Sequence, residues 1–123
     1  MGTNPRPPAG LGAAGRSFWR SVVAVYDLSP VEKLLLGQAA AVADLLARTD
    51  AELAESDLTV LGSTGQPRAH PLLAASAVQR GVLDMLTRSL SLPMPDETNG
   101  RRRSPAAAAA ANARWRGEHG SVA

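Results

Sequence analysis

The sequence predicts a mainly α-helical fold, with a helical core of about four helices and one short β-hairpin. Apolar residues recur at helical spacing in several segments, and two of these segments begin with a proline in the first helical turn. A different pattern, Thr59-Val60-Leu61 followed by glycines at 62 and 65, favours a hairpin near residues 58–70. The predicted organisation is a flexible N-terminal arm at 1–10, a helical core at 11–95 and a basic, Arg/Ala-rich tail at 96–123.

Composition limits the core and removes several kinds of chemistry. Of the 123 residues, 45% are hydrophobic, but 23 are alanine, so little large apolar surface is available for burial. We therefore expect one domain that gains stability by association between copies. The chain has no cysteine, which removes disulfides, zinc–thiolate sites and thiol catalysis. It also has no apolar run long enough for a membrane span or a signal core, so we expect no membrane partner and a cytoplasmic location.

Charge is distributed unevenly along the chain. Residues 1–26 contain three arginines and no acid, whereas residues 27–60 contain seven acids and two bases. Residues 101–123 contain five arginines and one glutamate. Basic ends around an acidic second quarter favour a polyanionic partner and head-to-tail contact between copies.

The first helix is predicted from about residue 11 or 15 to Tyr26, because aromatic residues and valines recur there at helical spacing. Arg16 and Arg20 lie one turn apart on another face of this helix. They are candidates for contact with phosphate. A solvated helix face is the more common explanation for each residue taken alone.

The second helix has the clearest start, because Ser29-Pro30-Val31-Glu32 is a capping box with proline at the first helical position. A short third helix is expected to begin at Thr49-Asp50-Ala51-Glu52 and to fade near Ser56. Leu36 lies off the apolar stripe of the second helix and is a candidate contact between subunits. That stripe is predicted to comprise Val31, Leu34, Leu35, Val42, Leu45 and Leu46.

The longest helix is predicted directly after the hairpin, from Pro71 to about Leu90. His70 is expected to end the hairpin and cap this helix rather than to act as a base. Gly81 costs about 1 kcal/mol relative to alanine inside a helix, which suggests a close-packed neighbour. The buried stripe is predicted to comprise Leu72, Ala75, Val78, Val82, Met85, Leu86 and Leu90, with an ion pair between Asp84 and Arg88 on the wet side.

The C-terminal tail is a separate unit. Ser104-Pro105 is typical of a helix start, and the six alanines that follow favour a helix that is marginal when free. Trp115, flanked by two arginines, is either an anchor for a partner or an incidental residue in a disordered tail. The candidate nucleic-acid-binding residues of the chain are Arg16, Arg20, Arg68, Arg101, Arg102, Arg103, Arg114 and Arg116, and the candidate partner-binding residues are Trp115 and Leu36.

Catalytic chemistry finds little support in the sequence. The only histidines are His70 and His119, and no close set of ligands has metal spacing. Residues 62–66 lack the Lys-Ser/Thr pair that completes a nucleotide-binding loop. The acidic run at 50–57 fits a helix start better than a metal site. We therefore expect no catalytic residues, no metal, no cofactor and a non-enzymatic role.

Two stretches resemble the small terminase subunits of tailed double-stranded-DNA phages and prophages. Residues 8–20 are similar to a Pro-x-Gly-Leu-Gly-x-x-Gly lead that runs into a helix with an aromatic-Trp pair. Residues 65–73 resemble the family's short Gly-centred ribbon before a proline-started helix, which ends in a Leu-x-Leu-x-Pro-like element, here residues 90–93. Residues 113–116 are similar to tails of actinobacterial-type members.

The resemblance implies a non-enzymatic, mainly helical protein that assembles into a homo-oligomeric ring in the cytoplasm of the bacterial host. Such a protein binds viral double-stranded DNA and recruits or regulates the large subunit, which holds the ATPase and nuclease. Because no standard helix-turn-helix start is evident, recognition of DNA shape or backbone is expected rather than base reading. Two other functions remain open: a stand-alone dimeric DNA-binding regulator, and an adaptor that binds a protein through the Arg/Trp tail.

Overall fold

The computed structural model describes residues 4–93 and the backbone of residues 102–103. Three helices make up most of the described chain: α1 (Ala13–Val23), α2 (Pro30–Ala54) and α3 (Pro71–Leu90). Short strands form two separate two-stranded sheets: β1 (Tyr26–Asp27) with β4 (Arg102–Arg103), and β2 (Thr59–Leu61) with β3 (Pro67–Ala69). The described protein is mainly helical, as predicted, with three helices where about four were expected.

The central helix is α2, and both other helices pack against it. Val23 at the end of α1 and Leu90 at the end of α3 lie in one cluster with Leu36, in the first half of α2. The starts of α1 and α3 lie near the second half of α2. Both flanking helices therefore run antiparallel to α2, and they meet in the core at one end of the molecule.

The apolar core is small and lies where the three helices converge. It consists of Trp19, Val23, Leu36 and Leu90, all buried. The indole Nε1 of Trp19 donates a hydrogen bond of 2.9 Å to the carbonyl oxygen of Pro5. Part of the predicted N-terminal arm thus lies beside the core, although the division of the chain into arm, core and tail stays a prediction.

Leu36 lies inside this core, so the prediction that it contacts another subunit is wrong for this conformation. Its side chain is 0% exposed. The stripe expected on α2 is rotated for the same reason, since Val31, Leu34 and Leu45 are exposed instead of buried. Small residues let neighbouring helices approach closely, and these neighbours set the buried face. The buried residues of α2 are Glu32, Leu36, Ala39, Ala40, Leu46 and Thr49.

The predicted third helix does not exist as a separate element, because α2 continues without a break through residues 49–54. The hydroxyl of Thr49 donates to the carbonyl oxygen of Leu45 at 2.9 Å, one turn back in the same helix. A threonine that bonds back in this way has its hydroxyl satisfied inside the helix and does not start a new one. Helix α2 has 25 residues and α3 has 20, so α2 is the longest of the described helices. The prediction that α3 is the longest helix is therefore wrong.

The predicted hairpin is confirmed. Strands β2 and β3 pair antiparallel, with Val60 opposite Arg68, and the amide of His70 extends the ladder to the carbonyl of Leu58 at 2.7 Å. The connecting turn needs a glycine at 65, where φ is +83°.

The ring of His70 caps α3, because its Nδ1 accepts a hydrogen bond from the amide of Leu72 at 3.0 Å. The capping box of α2, between Ser29 and Glu32, is confirmed as well.

Part of the side of α3 that was predicted to be buried is exposed. Val78 and Met85, predicted to be buried, are exposed. Gly81 is exposed too, and apart from its own helix backbone a Cβ placed on it would meet no atom of the described residues within 4 Å, so the prediction of a close neighbour is wrong. The expected pair between Asp84 and Arg88 is present at 3.1 Å. Among residues 4–93, no helix is both long and apolar enough to span a membrane.

Candidate nucleic-acid interface

The start of α1 is fixed by a carboxylate from α2. The amides of Gly12 and Gly15 donate hydrogen bonds of 2.6 Å to Oδ2 and Oδ1 of Asp44, respectively. These amides belong to the group at a helix N-terminus that has no partner within the helix, and the helix dipole favours a negative charge there. Asp44 therefore acts as a cap from another helix, and it holds α1 in one orientation on α2.

The glycine at 15 is a consequence of this close approach. A Cβ on Gly15 would lie 2.5 Å from Oδ2 of Asp44 and 2.6 Å from the carbonyl oxygen of Ala40. The contact with Ala40 requires movement of the helix backbone, and the carboxylate of Asp44 must shift as well. Helix packing thus explains Gly15 of the glycine-rich lead, and the amides of Gly12 and Gly15, which at a helix N-terminus can bind an anion, are occupied by the protein's own carboxylate.

Arg16 and Arg20 lie one turn apart on the exposed surface of α1 that this packing leaves free. No salt bridge engages either residue within the part of the chain that the structure describes. The arginines of α3 differ, since Arg80 pairs with Asp50 at 3.0 Å and Arg88 pairs with Asp84. The positive charge of α1 is therefore available to an external anion.

The strand β4 brings a second basic segment to the end of α1. Arg102 and Arg103 pair in parallel with Tyr26 and Asp27, which follow α1 in the chain. Arg20 lies in the last turn of α1, six residues before Tyr26. The fold thus brings Arg102 and Arg103 to the strand that follows α1, although Arg20 and Arg102 are more than 80 residues apart in sequence.

Arg68 does not join this group. It is exposed on β3, and the hairpin follows the far end of α2. Ala54 at that end is ten residues beyond Asp44, which corresponds to about 15 Å of helix. Arg101, Arg114, Trp115 and Arg116 lie outside the described residues, so their assignment stays a prediction.

Among the described residues, two of the open cavities lie beside these elements, and neither contains a catalytic set of side chains. One of about 500 Å³ is lined mainly by Gly10 to Ala14 and by Asp44 and Arg48. The other, of about 400 Å³, lies between the hairpin and Leu73 and includes Arg68. Across residues 4–93, no group of three or more His, Asp or Glu side chains could hold a metal ion. What this surface offers is exposed guanidinium groups, which bind phosphate by charge and hydrogen bonds.

Sequence reasoning missed Asp44, which positions the whole arginine-bearing helix. A signal was present, since Asp44 is the only charged residue between 34 and 47. An isolated acid in an apolar helix needs a partner, but its partners are backbone amides about 30 residues away, which no spacing rule identifies.

Comparison with protein-family models, with curated protein sequences and with solved structures finds no match to this chain.

Proposed function

We propose that this protein is a non-catalytic DNA-binding subunit of a phage packaging terminase, equivalent to the small subunit. The observation that carries the proposal is that Arg16 and Arg20, on the exposed surface of α1, form no salt bridge among the described residues, while the basic strand β4 pairs with β1 just after α1. The resemblance of residues 8–20 and 65–73 to that family adds the packaging role. In this role the protein binds viral double-stranded DNA and recruits or regulates the large ATPase and nuclease subunit.

The proposed mode of binding is contact with the phosphate backbone. Arg16 and Arg20 are neighbours on one helix face, so their guanidinium groups can meet phosphates along one strand. The helix α1 is fixed on α2 by Asp44 and by the burial of Trp19. A rigid support for the arginines reduces the entropy lost on binding.

Association between copies is the second part of the proposal. The described core has few large buried side chains, while Val31, Leu34, Val78 and Met85 remain more than half exposed. A small core with exposed apolar side chains is consistent with stability gained through a homo-oligomer, for which we propose a ring. Sedimentation at micromolar concentration should then show a discrete higher oligomer. A strict monomer would contradict this part.

The DNA-binding part is tested by replacing both α1 arginines in the full chain. Arg16→Gln with Arg20→Gln should weaken binding to linear double-stranded DNA and should lower the slope of log K against log salt by about 0.9 for each phosphate that is no longer neutralised. Fluorescence anisotropy over a salt series measures both quantities. The matched control is Arg48→Gln with Arg88→Gln, which removes the same charge from exposed positions on α2 and α3.

A larger loss of DNA affinity in the α1 double variant than in the control supports binding by the α1 surface. Equal losses in the two would mean that only the total charge of the protein matters for DNA binding. The remaining functions give different outcomes. A dimer with tight, sequence-specific binding and no effect on a packaging ATPase would indicate a stand-alone regulator. Absence of DNA affinity even at low salt would indicate an adaptor that uses the Arg/Trp tail.

A further inference from the structure

One edge of the hairpin carries a complete set of backbone groups for pairing with another strand. The amide of His70 donates to the carbonyl oxygen of Leu58 at 2.7 Å, so these two residues form a hydrogen-bonded pair of the β2–β3 ladder. Such pairs alternate along an antiparallel ladder, and the N–H and C=O groups of Thr59 and Leu61 therefore point away from β3. Among residues 4–93, no hydrogen bond engages these four groups.

The opposite edge of the hairpin is protected. Pro67 and Ala69 occupy the outward-facing positions of β3, and Pro67 has no N–H to donate. Proteins block exposed strand edges with proline or with charge, but β2 has neither. Its Leu61 is 77% exposed, the highest value of any large aliphatic side chain among the described residues. The edge of β2 is therefore the one that is open to a partner.

We propose that β2 pairs antiparallel with β2 of a second copy of this chain, across a two-fold axis at Val60, to form a four-stranded sheet. The inference rests on the association between copies proposed above and names one surface that makes it. It needs neither DNA binding nor the packaging role. A two-fold contact joins copies in pairs, so it leaves the head-to-tail contacts of a ring to other surfaces.

The strand β2 is its own complement about its middle residue. With Val60 opposite Val60 of the second copy, Thr59 faces Leu61 of that copy and exchanges two hydrogen bonds with it. Symmetry repeats this exchange on the other side of the axis, so all four outward-facing groups of each copy are satisfied. In any other register, part of β2 would face the turn of the hairpin or the loop before it. The second copy is therefore the occupant that this edge fits.

The side chains that meet in this register are compatible. Val60 lies beside its own copy, and β-branched side chains are favourable cross-strand neighbours. The two Leu61 side chains lie diagonally across the axis on one face, where long side chains reach each other and lose exposed apolar surface. Asp57 and Arg68 are the only charged residues from 56 to 69. Asp57 comes beside the exposed Ser63 of the second copy, whose hydroxyl can donate to it, and no like charges meet.

Cross-linking tests the register, because the chain has no cysteine of its own. Val60→Cys places two thiols at directly opposite, non-hydrogen-bonded positions, with Cα atoms about 4.5 Å apart, which a disulfide can span. Oxidation of the dilute full chain should give a covalent dimer on a non-reducing gel. The matched control is Arg68→Cys, since Arg68 lies opposite Val60 within the hairpin. Its two copies would be three strand spacings apart, about 14 Å, and should not cross-link.

Removing one outward-facing N–H from each edge tests the hydrogen bonds. Thr59→Pro takes a donor from the β2 edge, and two hydrogen bonds are lost per pair of copies because the contact is symmetric. The dissociation constant from sedimentation equilibrium should rise by about tenfold or more. Ala69→Pro is the matched control on the other edge, opposite Thr59, and should leave this constant unchanged. Leu61→Ser, which alters only an exposed side chain, should also raise the constant and covers the case in which a proline variant fails to fold.

The outcomes separate this contact from the wider proposal. Absence of a Val60→Cys dimer, or equal cross-linking of Val60→Cys and Arg68→Cys, would overturn the pairing of β2 with its own copy. Equal dissociation constants for Thr59→Pro and Ala69→Pro would overturn it as well. In each case an unmodified chain that still forms an oligomer leaves the proposed association standing. A strict monomer of the unmodified chain would contradict both.

Discussion

Asp44 stabilises the fold through the two amides at the start of α1, so its removal has a definite cost. Asp44→Ala leaves the amides of Gly12 and Gly15 without their acceptor and should lower the free energy of unfolding by about 1–2 kcal/mol. Urea denaturation followed by circular dichroism measures this loss. Asp44→Asn keeps an acceptor oxygen and should lose less. The control is Glu52→Ala, an exposed acid on the same helix.

If Asp44→Ala and Glu52→Ala gave equal stabilities, α1 would be held by its apolar contacts alone. The role assigned to the glycine-rich lead would then be wrong.

We expect opposite effects on stability when Gly15 and Gly81 are each replaced by alanine. Gly15→Ala places a Cβ against Asp44 and Ala40 and should destabilise the protein by roughly 1–3 kcal/mol. Gly81→Ala meets open space in an exposed helix interior and should stabilise it by about 0.5–1 kcal/mol. Thermal or urea denaturation of the two variants checks the sign of each change. Equal effects would contradict the close packing of α1 on α2.

Local and distant contacts differ in how well the sequence predicts them. The caps at Ser29 and His70 were predicted correctly because each bond joins residues two or three positions apart. Asp44 was missed because its partners lie 29 and 32 residues away. Thr49 was misread because its hydroxyl can either cap a new helix or bond back within the existing one, and the local sequence does not distinguish the two.

At the level of the elements, His70 joins the hairpin to α3 and should be replaceable by another capping residue. His70→Ala removes the acceptor for the amide of Leu72 and should cost about 1 kcal/mol. His70→Asn supplies a good helix cap and should recover most of this stability. Urea denaturation of both variants checks the ranking. Equal losses in the two would mean that the ring of His70 matters for packing rather than for capping.

The buried sides of the helices show what the sequence could and could not predict. It predicted where α2 and α3 lie along the chain, but not which side of each helix is buried. Periodicity located α2 and α3, but the predicted buried faces followed the large apolar residues. The structure buries Ala39 and Ala40 and leaves Val31 and Leu34 outside. In a chain so rich in alanine, close helix contact is made by small side chains, and the large ones at the surface become available to other segments.

On the scale of the whole molecule, the predicted basic residues that the structure describes lie on three different elements, α1, β3 and β4. The strand β4 pairs with β1, just after α1, because the chain returns to Tyr26 after α3. Arg68 stays with the hairpin, toward the other end of α2. The sequence shows where along the chain positive or negative charge is in excess, since that depends only on the order of the residues. Their grouping depends on the antiparallel arrangement of three helices, which no short motif specifies.

The central claim, that this protein binds double-stranded DNA through its phosphates, is tested most directly by the salt dependence of binding by the full unmodified chain. Anisotropy of a labelled linear duplex should show binding at low salt, and log K should fall linearly as log salt rises. The slope should shrink in the Arg16→Gln, Arg20→Gln double variant and stay the same in the Arg48→Gln, Arg88→Gln control. Absence of binding at the lowest salt, or a slope that the α1 arginines do not change, would contradict the account.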